Sequence, residues 1–282
     1  MASYALPLVY ALFVWWFSTG VILFISGLAR RTHSWSLAGA TALAIWALVA
    51  LHQTRDDTTV FGVYVAFSAG ILLWAWHEVT FLLGAVTGPR TEPCPERCSG
   101  WARFVFATQA ILYHEFAIVL TLIAAAVAVG DGANQVGLWT FGVLWVMRLS
   151  AKLNLFLGVP KLHTELLPDH LVFIGSYFRK RTMNALFPVS VTGGTIVTLL
   201  IVMGAVASEP DSAGRAGGML VAALLGLAVL EHWFMVLPWQ DTALWQWALK
   251  ARAAVQQRRG RTHLDIQSEE GAPALGVRAG SL

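Results

Sequence analysis

The feature that most constrains this chain is a series of seven long apolar runs, separated by connections whose charge alternates. The runs cover about residues 4–29, 34–53, 58–87, 101–129, 134–158, 185–207 and 216–240. Each is long enough for an α-helix to cross a hydrocarbon layer about 30 Å thick. Lipid offers the backbone no hydrogen-bond partners, so a run of this kind satisfies its own N–H and C=O groups only as a helix. The predicted fold is therefore all-α, a polytopic membrane helical bundle of about seven transmembrane helices. Composition agrees, with 57% hydrophobic and only 12% charged residues. A soluble domain usually carries about a quarter charged residues.

The connections set an orientation. Arg30 and Arg31 follow the first run, and Arg90, Arg97 and Arg103 follow the third. Lys161, Arg179, Lys180 and Arg181 follow the fifth, and Lys250, Arg252, Arg258, Arg259 and Arg261 follow the seventh. The intervening connections hold Arg55 and Arg215 beside Asp56, Asp57, Asp131, Glu209 and Asp211. The positive-inside rule then places the N-terminus outside and the C-terminus in the cytoplasm. The formal charge of +3 is thus read as topological rather than as a sign of an acidic partner. The first run has no basic leader and exceeds a signal-peptide core in length, so it is read as a retained helix. Residues 1–249 are expected to form a single transmembrane domain. Residues 250–282 are expected to be a cytoplasmic basic tail, largely disordered toward its end.

Four runs carry ionisable residues well inside them: His77 and Glu78; His114 and Glu115; Arg148 and Lys152; Glu231 and His232. Isolated at mid-bilayer, three glutamates, an arginine and a lysine would cost roughly 12 to 17 kcal/mol on an insertion scale. Such residues usually meet one another, and one buried polar centre is expected. Residues 148 and 152 share a helical face. A neighbouring His and Glu differ by about 100° around the axis, so both can face a bundle interior without pointing along one line.

Three readings stay open. In the first, Arg148 and Lys152 neutralise Glu78, Glu115 and Glu231 in a network that fixes helix register. In the second, His77, Glu78, His114, Glu115, Glu231 and His232 ligate a di-iron or di-manganese centre. Those ligand types suit it, although the adjacent spacing differs from Glu-x-x-His and the two cations oppose it. In the third, a histidine is the axial ligand of a tetrapyrrole. None of these spacings is a specific motif.

Trp15, Trp16, Trp35, Trp101, Trp139, Trp239, Trp245 and Trp247 lie near run ends, where an amphipathic ring prefers the headgroup region. Trp74, Trp76, Trp145 and Trp233 lie deeper and are expected to pack between helices or against a flat cofactor. The connection from Pro160 to Asn184 carries Leu162, Leu166, Leu167, Leu171, Phe173 and Phe178 among His163, Glu165, Asp169 and His170 and ends in the Arg179-Lys-Arg181 cluster, which suits an interfacial segment. It serves either as a connector or as a lid over the polar centre. Cys94 and Cys98 are too few for a disulfide framework or a closed zinc site, and are expected as reduced thiols. Pro188, Gly193 and Gly194 loosen the sixth run, a packing feature more often than a transport one. No phosphate loop, nucleophile elbow or nucleic-acid motif is present.

The opening Ala5-Leu-Pro-Leu-Val-Tyr-Ala-Leu-Phe-Val-Trp-Trp-Phe17, Ile111-Leu-Tyr-His-Glu115, Asn134-Gln-Val-Gly-Leu-Trp-Thr140 and Ala151-Lys-Leu-Asn-Leu-Phe-Leu-Gly158 resemble the PuhE family. So do Met183-Asn-Ala-Leu-Phe-Pro-Val189 and Leu230-Glu-His-Trp-Phe234. PuhE proteins are photosynthetic complex assembly proteins of anoxygenic phototrophic bacteria, and the likeness runs from residue 1 to about 250. It implies a multi-pass protein of the bacterial inner or intracytoplasmic membrane that serves the reaction centre and core antenna, through bacteriochlorophyll supply or handling. The partners it implies, besides the lipid bilayer, are reaction-centre or core antenna polypeptides or pigment-biosynthesis proteins. It implies no catalytic residue, so the His and Glu pairs stand on the physical reading alone. The expected function is a non-catalytic assembly factor. A metal-dependent membrane oxidoreductase acting on a pigment precursor is the alternative.

Overall fold

The computed structural model describes residues 2–162, 164–238 and 241–255. Seven helices are long and apolar enough to cross a membrane: α1 (Ala2–Ser26), α2 (His33–Thr54), α3 (Val60–Leu82), α4 (Gly100–Val129), α5 (Val136–Leu157), α6 (Leu186–Ala207) and α7 (Ala213–Phe234). An eighth helix, α8, runs over 246–255 and crosses the expected tail boundary. The rest of that tail, 256–282, lies outside the described residues. An isolated Val159–Lys180 bridge is the only β pairing among the described residues.

Helices α3 and α7 form the centre. Both are at least half buried along their apolar windows, whereas α2 and α6 lie at the periphery, each beside one of them. Small residues permit the closest crossing. A Cβ added at Gly70 of α3 would stand 2.6 Å from the Gly137 carbonyl of α5, and one at Gly137 would stand 2.5 Å from the Ala66 carbonyl. Backbone thus meets backbone there, as small residues allow in membrane bundles.

The expected end of the third span is corrected. Instead of continuing to residue 87, α3 stops at Leu82, and Gly84 takes a positive φ of 77°, a conformation that glycine adopts without steric cost. The chain then turns back against α4. The His114 amide, midway along that helix, donates to the Thr87 carbonyl at 2.9 Å. Gly88 lies so close to the Gln109 and Ala110 backbone that no side chain would fit.

Two loop cations also have helical duties. Arg103 is inside α4, buried, with its guanidinium 3.9 Å above the Phe156 ring centroid and donating to the Phe156 carbonyl. Arg215 is in α7, where it donates to the carbonyls of Ala205, Val206 and Ser208. It thereby satisfies carbonyls left open at the end of α6. Asn184 caps α6 by accepting from the Leu186 and Phe187 amides, while its Nδ2 donates to Asn154 and to the Gly158 carbonyl.

Candidate functional site

The five charged residues of the expected polar centre do converge. Glu78 from α3, Glu115 from α4, Arg148 and Lys152 from α5 and Glu231 from α7 all line one cavity of about 550 Å³. Arg148 Nη2 donates to Glu78 Oε2 at 3.0 Å, and Lys152 Nζ donates to Glu115 Oε1 at 2.5 Å. Because α3 ends early, Glu78 stands four residues from its helix end. Lys152 stands five residues from the end of α5, and Glu231 three from that of α7. Glu78, Lys152 and Glu231 therefore sit near the ends of three helices, with Arg148 one turn deeper in α5 and Glu115 midway along α4.

The histidines do not share that cavity. His77 and His114 lie beside it rather than in its lining, with ring centroids 6.1 Å apart and against Phe81, Phe141, Trp74 and Trp76. Among the described residues, both His77 nitrogens and His114 Nδ1 are buried without a hydrogen-bond partner. His232 is held in a third place. Its Nδ1 donates to the Ala228 carbonyl at 2.8 Å, and its Nε2 is 2.9 Å from Ser150 Oγ, which also meets Ser190 Oγ. That network ties α5, α6 and α7 together. The eight expected residues thus divide into a cavity group of five, a buried pair and a lone interhelical link.

This division bears on the metal reading. The six expected donors fall in three separate places, and among the described residues no group of three or more His, Cys, Asp or Glu is arranged to hold a metal ion. The carboxylates that do come together each have a cation or an indole N–H beside them.

Two tryptophans belong to the site. Trp15, expected at the headgroup level, is only 9% exposed and donates from Nε1 to Glu231 Oε1 at 2.7 Å. It packs edge-on against Trp245, also expected at an interface, with ring centroids 5.5 Å apart. Trp145 Nε1 points to Glu115 Oε2 at 3.4 Å. The only sequence signal for Trp15 was its place in a span that lacks charge altogether, which left its partner open.

The remaining wall is mostly apolar, and the segment between α5 and α6 forms part of it. Leu162, Leu166, Leu167, Ile174, Tyr177 and Phe178 line the cavity, so the connector has the position of a lid. It is clasped from the α3–α4 loop. Arg90 Nε donates to Tyr177 Oη at 2.7 Å, Tyr177 Oη donates to the Glu92 carbonyl at 2.6 Å, and the Cys94 amide donates to Ser176 Oγ at 2.8 Å. In this loop the expectation of free thiols is corrected: Cys94 and Cys98 form a disulfide across a turn, with Cα atoms 6.1 Å apart. The Cys98 amide donates to the Pro95 carbonyl at 2.9 Å, and this turn brings the two cysteines together.

Burial also shapes the lid's chemistry. His170, between α5 and α6, is held below the ordinary histidine range, first by burial and then by Arg30 and His33; a hydrogen bond to the Leu82 backbone opposes them.

The model of DUF3623, a protein family of unknown function, matches residues 1–256. An uncharacterized 30.4 kDa protein in the puhA 5′ region of Rhodobacter capsulatus is 43% identical over 244 residues, covering 84% of this chain and 88% of that protein. No solved structure matches the chain.

Proposed function

This chain belongs to the DUF3623 family, and we propose that it is a non-catalytic assembly factor for the photosynthetic reaction centre and core antenna, one that handles bacteriochlorophyll in the membrane. The observation that carries the proposal is the cavity: a mostly apolar chamber whose lining includes a nearly balanced group of three acids and two bases. Sites for small apolar ligands have this character, largely apolar walls with a few placed polar groups. Each of its carboxylates is held by a cation or an indole N–H, which supports a role in binding and shelter. The setting supports the reading, since the relative from Rhodobacter capsulatus is placed beside puhA, in a photosynthesis gene cluster. In a phototrophic bacterium the protein would then act in the inner or intracytoplasmic membrane, next to reaction-centre or antenna polypeptides.

Deleting the protein in a phototrophic host is expected to lower the amount of core complex per unit of membrane, as read from the near-infrared absorption of isolated membranes. Unchanged core complex and unchanged pigment would sink the assembly role. Protein purified from that host is expected to carry pigment absorption that a cavity-filling Ala107→Phe variant lacks.

A further inference from the structure

Arg148 has a role that its ion pair does not exhaust. Among the described residues it makes one hydrogen bond, through Nη2 to Glu78, yet its side chain is 46% exposed and lines the cavity. A guanidinium carries several N–H donors and no acceptor. The remaining donors therefore look into a chamber whose wall is otherwise mostly apolar. Unmet donors in such surroundings are costly, so whatever fills the chamber is favoured if it brings an acceptor oxygen to this point.

The charge of the surroundings selects among acceptors. Glu78, Glu115 and Glu231 face Arg148 and Lys152 across the same space. Each cation is already paired with a carboxylate. A carboxylate or phosphate would add an anion to a group with a formal excess of one acid, and would compete with Glu78 for Arg148. A neutral carbonyl accepts the free N–H groups and leaves both pairs intact. A cationic ligand, though drawn by the excess acid, would leave the remaining Arg148 donors unmet. The rest of the ligand would lie against Ile22, Phe81, Ile111, Phe156, Leu167 and Phe178.

We infer that the cavity is a binding site for an uncharged, carbonyl-bearing apolar molecule, with Arg148 donating to its carbonyl oxygen beneath the lid. Esters, ketones and quinones share this chemistry. The inference deepens the function proposed above and rests on it in taking the cavity as a ligand site.

The test uses the purified full chain in detergent and three heavy-atom quenchers of equal length: methyl dibromostearate, dibromostearate as free acid at a pH where it is ionised, and a dibrominated hydrocarbon. Saturable quenching of tryptophan fluorescence reports occupancy, since Trp15, Trp74 and Trp245 line the cavity. The ester is expected to bind about tenfold more tightly than the acid and than the hydrocarbon, the size of one hydrogen bond to a charged donor. An Arg148→Met/Glu78→Gln double variant, which removes both charges together, is expected to bind ester and hydrocarbon alike. Acid binding as tightly as ester in the wild type, or an ester preference that survives in the double variant, overturns the inference. Should the double variant fail to fold, the wild-type comparison still decides. Mass spectrometry of the solvent extract from native membranes then distinguishes pigment ester, quinone and neutral lipid. An ester preference without a deletion phenotype would sink the assembly role alone, and a deletion phenotype without an ester preference would sink the ligand class alone.

Discussion

Lys152 and Glu115 show how single residues were readable in type but not in aim. Their chemistry required a partner, and the structure supplies one at 2.5 Å. Removing one member leaves the other charge uncompensated, so Lys152→Met is expected to cost about 3 kcal/mol, while Lys152→Met/Glu115→Gln regains most of the loss. Chemical unfolding in detergent measures both. His170 offers a second check. Its lowered pKa means that the folded lid holds a neutral ring, whereas the unfolded chain takes up a proton near pH 6.5. That contribution to stability is present above about pH 6.5 and is lost as pH falls from there through the lowered folded value. Hydrogen exchange over 169–177, corrected for intrinsic rates, is expected to quicken across that fall in wild type and to lose this dependence in His170→Gln. Trp15 marks the limit of reading by type. Its partner Glu231 is 216 residues away, and α1 places Trp15 mid-helix, not at the headgroup level where tryptophans are enriched.

At the scale of elements, the helices were legible because each must satisfy its own backbone in lipid. Their ends were less so. Leu83 to Val86 continue the apolar run, so hydropathy carries the third span past its true end at Leu82. The positive φ of Gly84 and the docking of Thr87 and Gly88 on α4 decide otherwise. The crossing of α3 and α5 carries its own prediction. At Gly70 a methyl would meet the Gly137 carbonyl at 2.6 Å, and backbone gives way less readily than a side chain. Gly70→Ala is expected to cost about 1 to 3 kcal/mol by overpacking, against a small effect of Gly193→Ala, where no atom of the described residues lies within 4 Å. Thermal unfolding of the two variants compares them directly.

For the whole molecule, the charge pattern and the disulfide can be set against each other. Arg90, Arg97 and the Cys94–Cys98 pair share the α3–α4 loop, which the charge rule assigns to the cytoplasm, a compartment where disulfides are rare. Intact cells treated with a membrane-impermeant reductant and maleimide decide the matter. The charge rule predicts no label at Cys94 or Cys98 until the cells are opened, and labelling of intact cells would reverse the orientation. In opened membranes kept under oxidising conditions, the structure predicts that the maleimide reacts only after reduction.

The sequence by itself determined that this chain crosses a membrane as helices, roughly where, and that a few costly ionisable residues must meet inside. It could do so because hydropathy and the price of an unpaired charge act on each segment alone. The tertiary structure decided which of those residues meet. Adjacent His and Glu diverge by about 100° on any helix, but only the rotation of each helix against its neighbours says which of the two faces the cavity. Packing such as that of Gly70 on Gly137 fixes this rotation. It sends Glu78 and Glu115 toward Arg148 and Lys152, and buries His77 and His114 behind them.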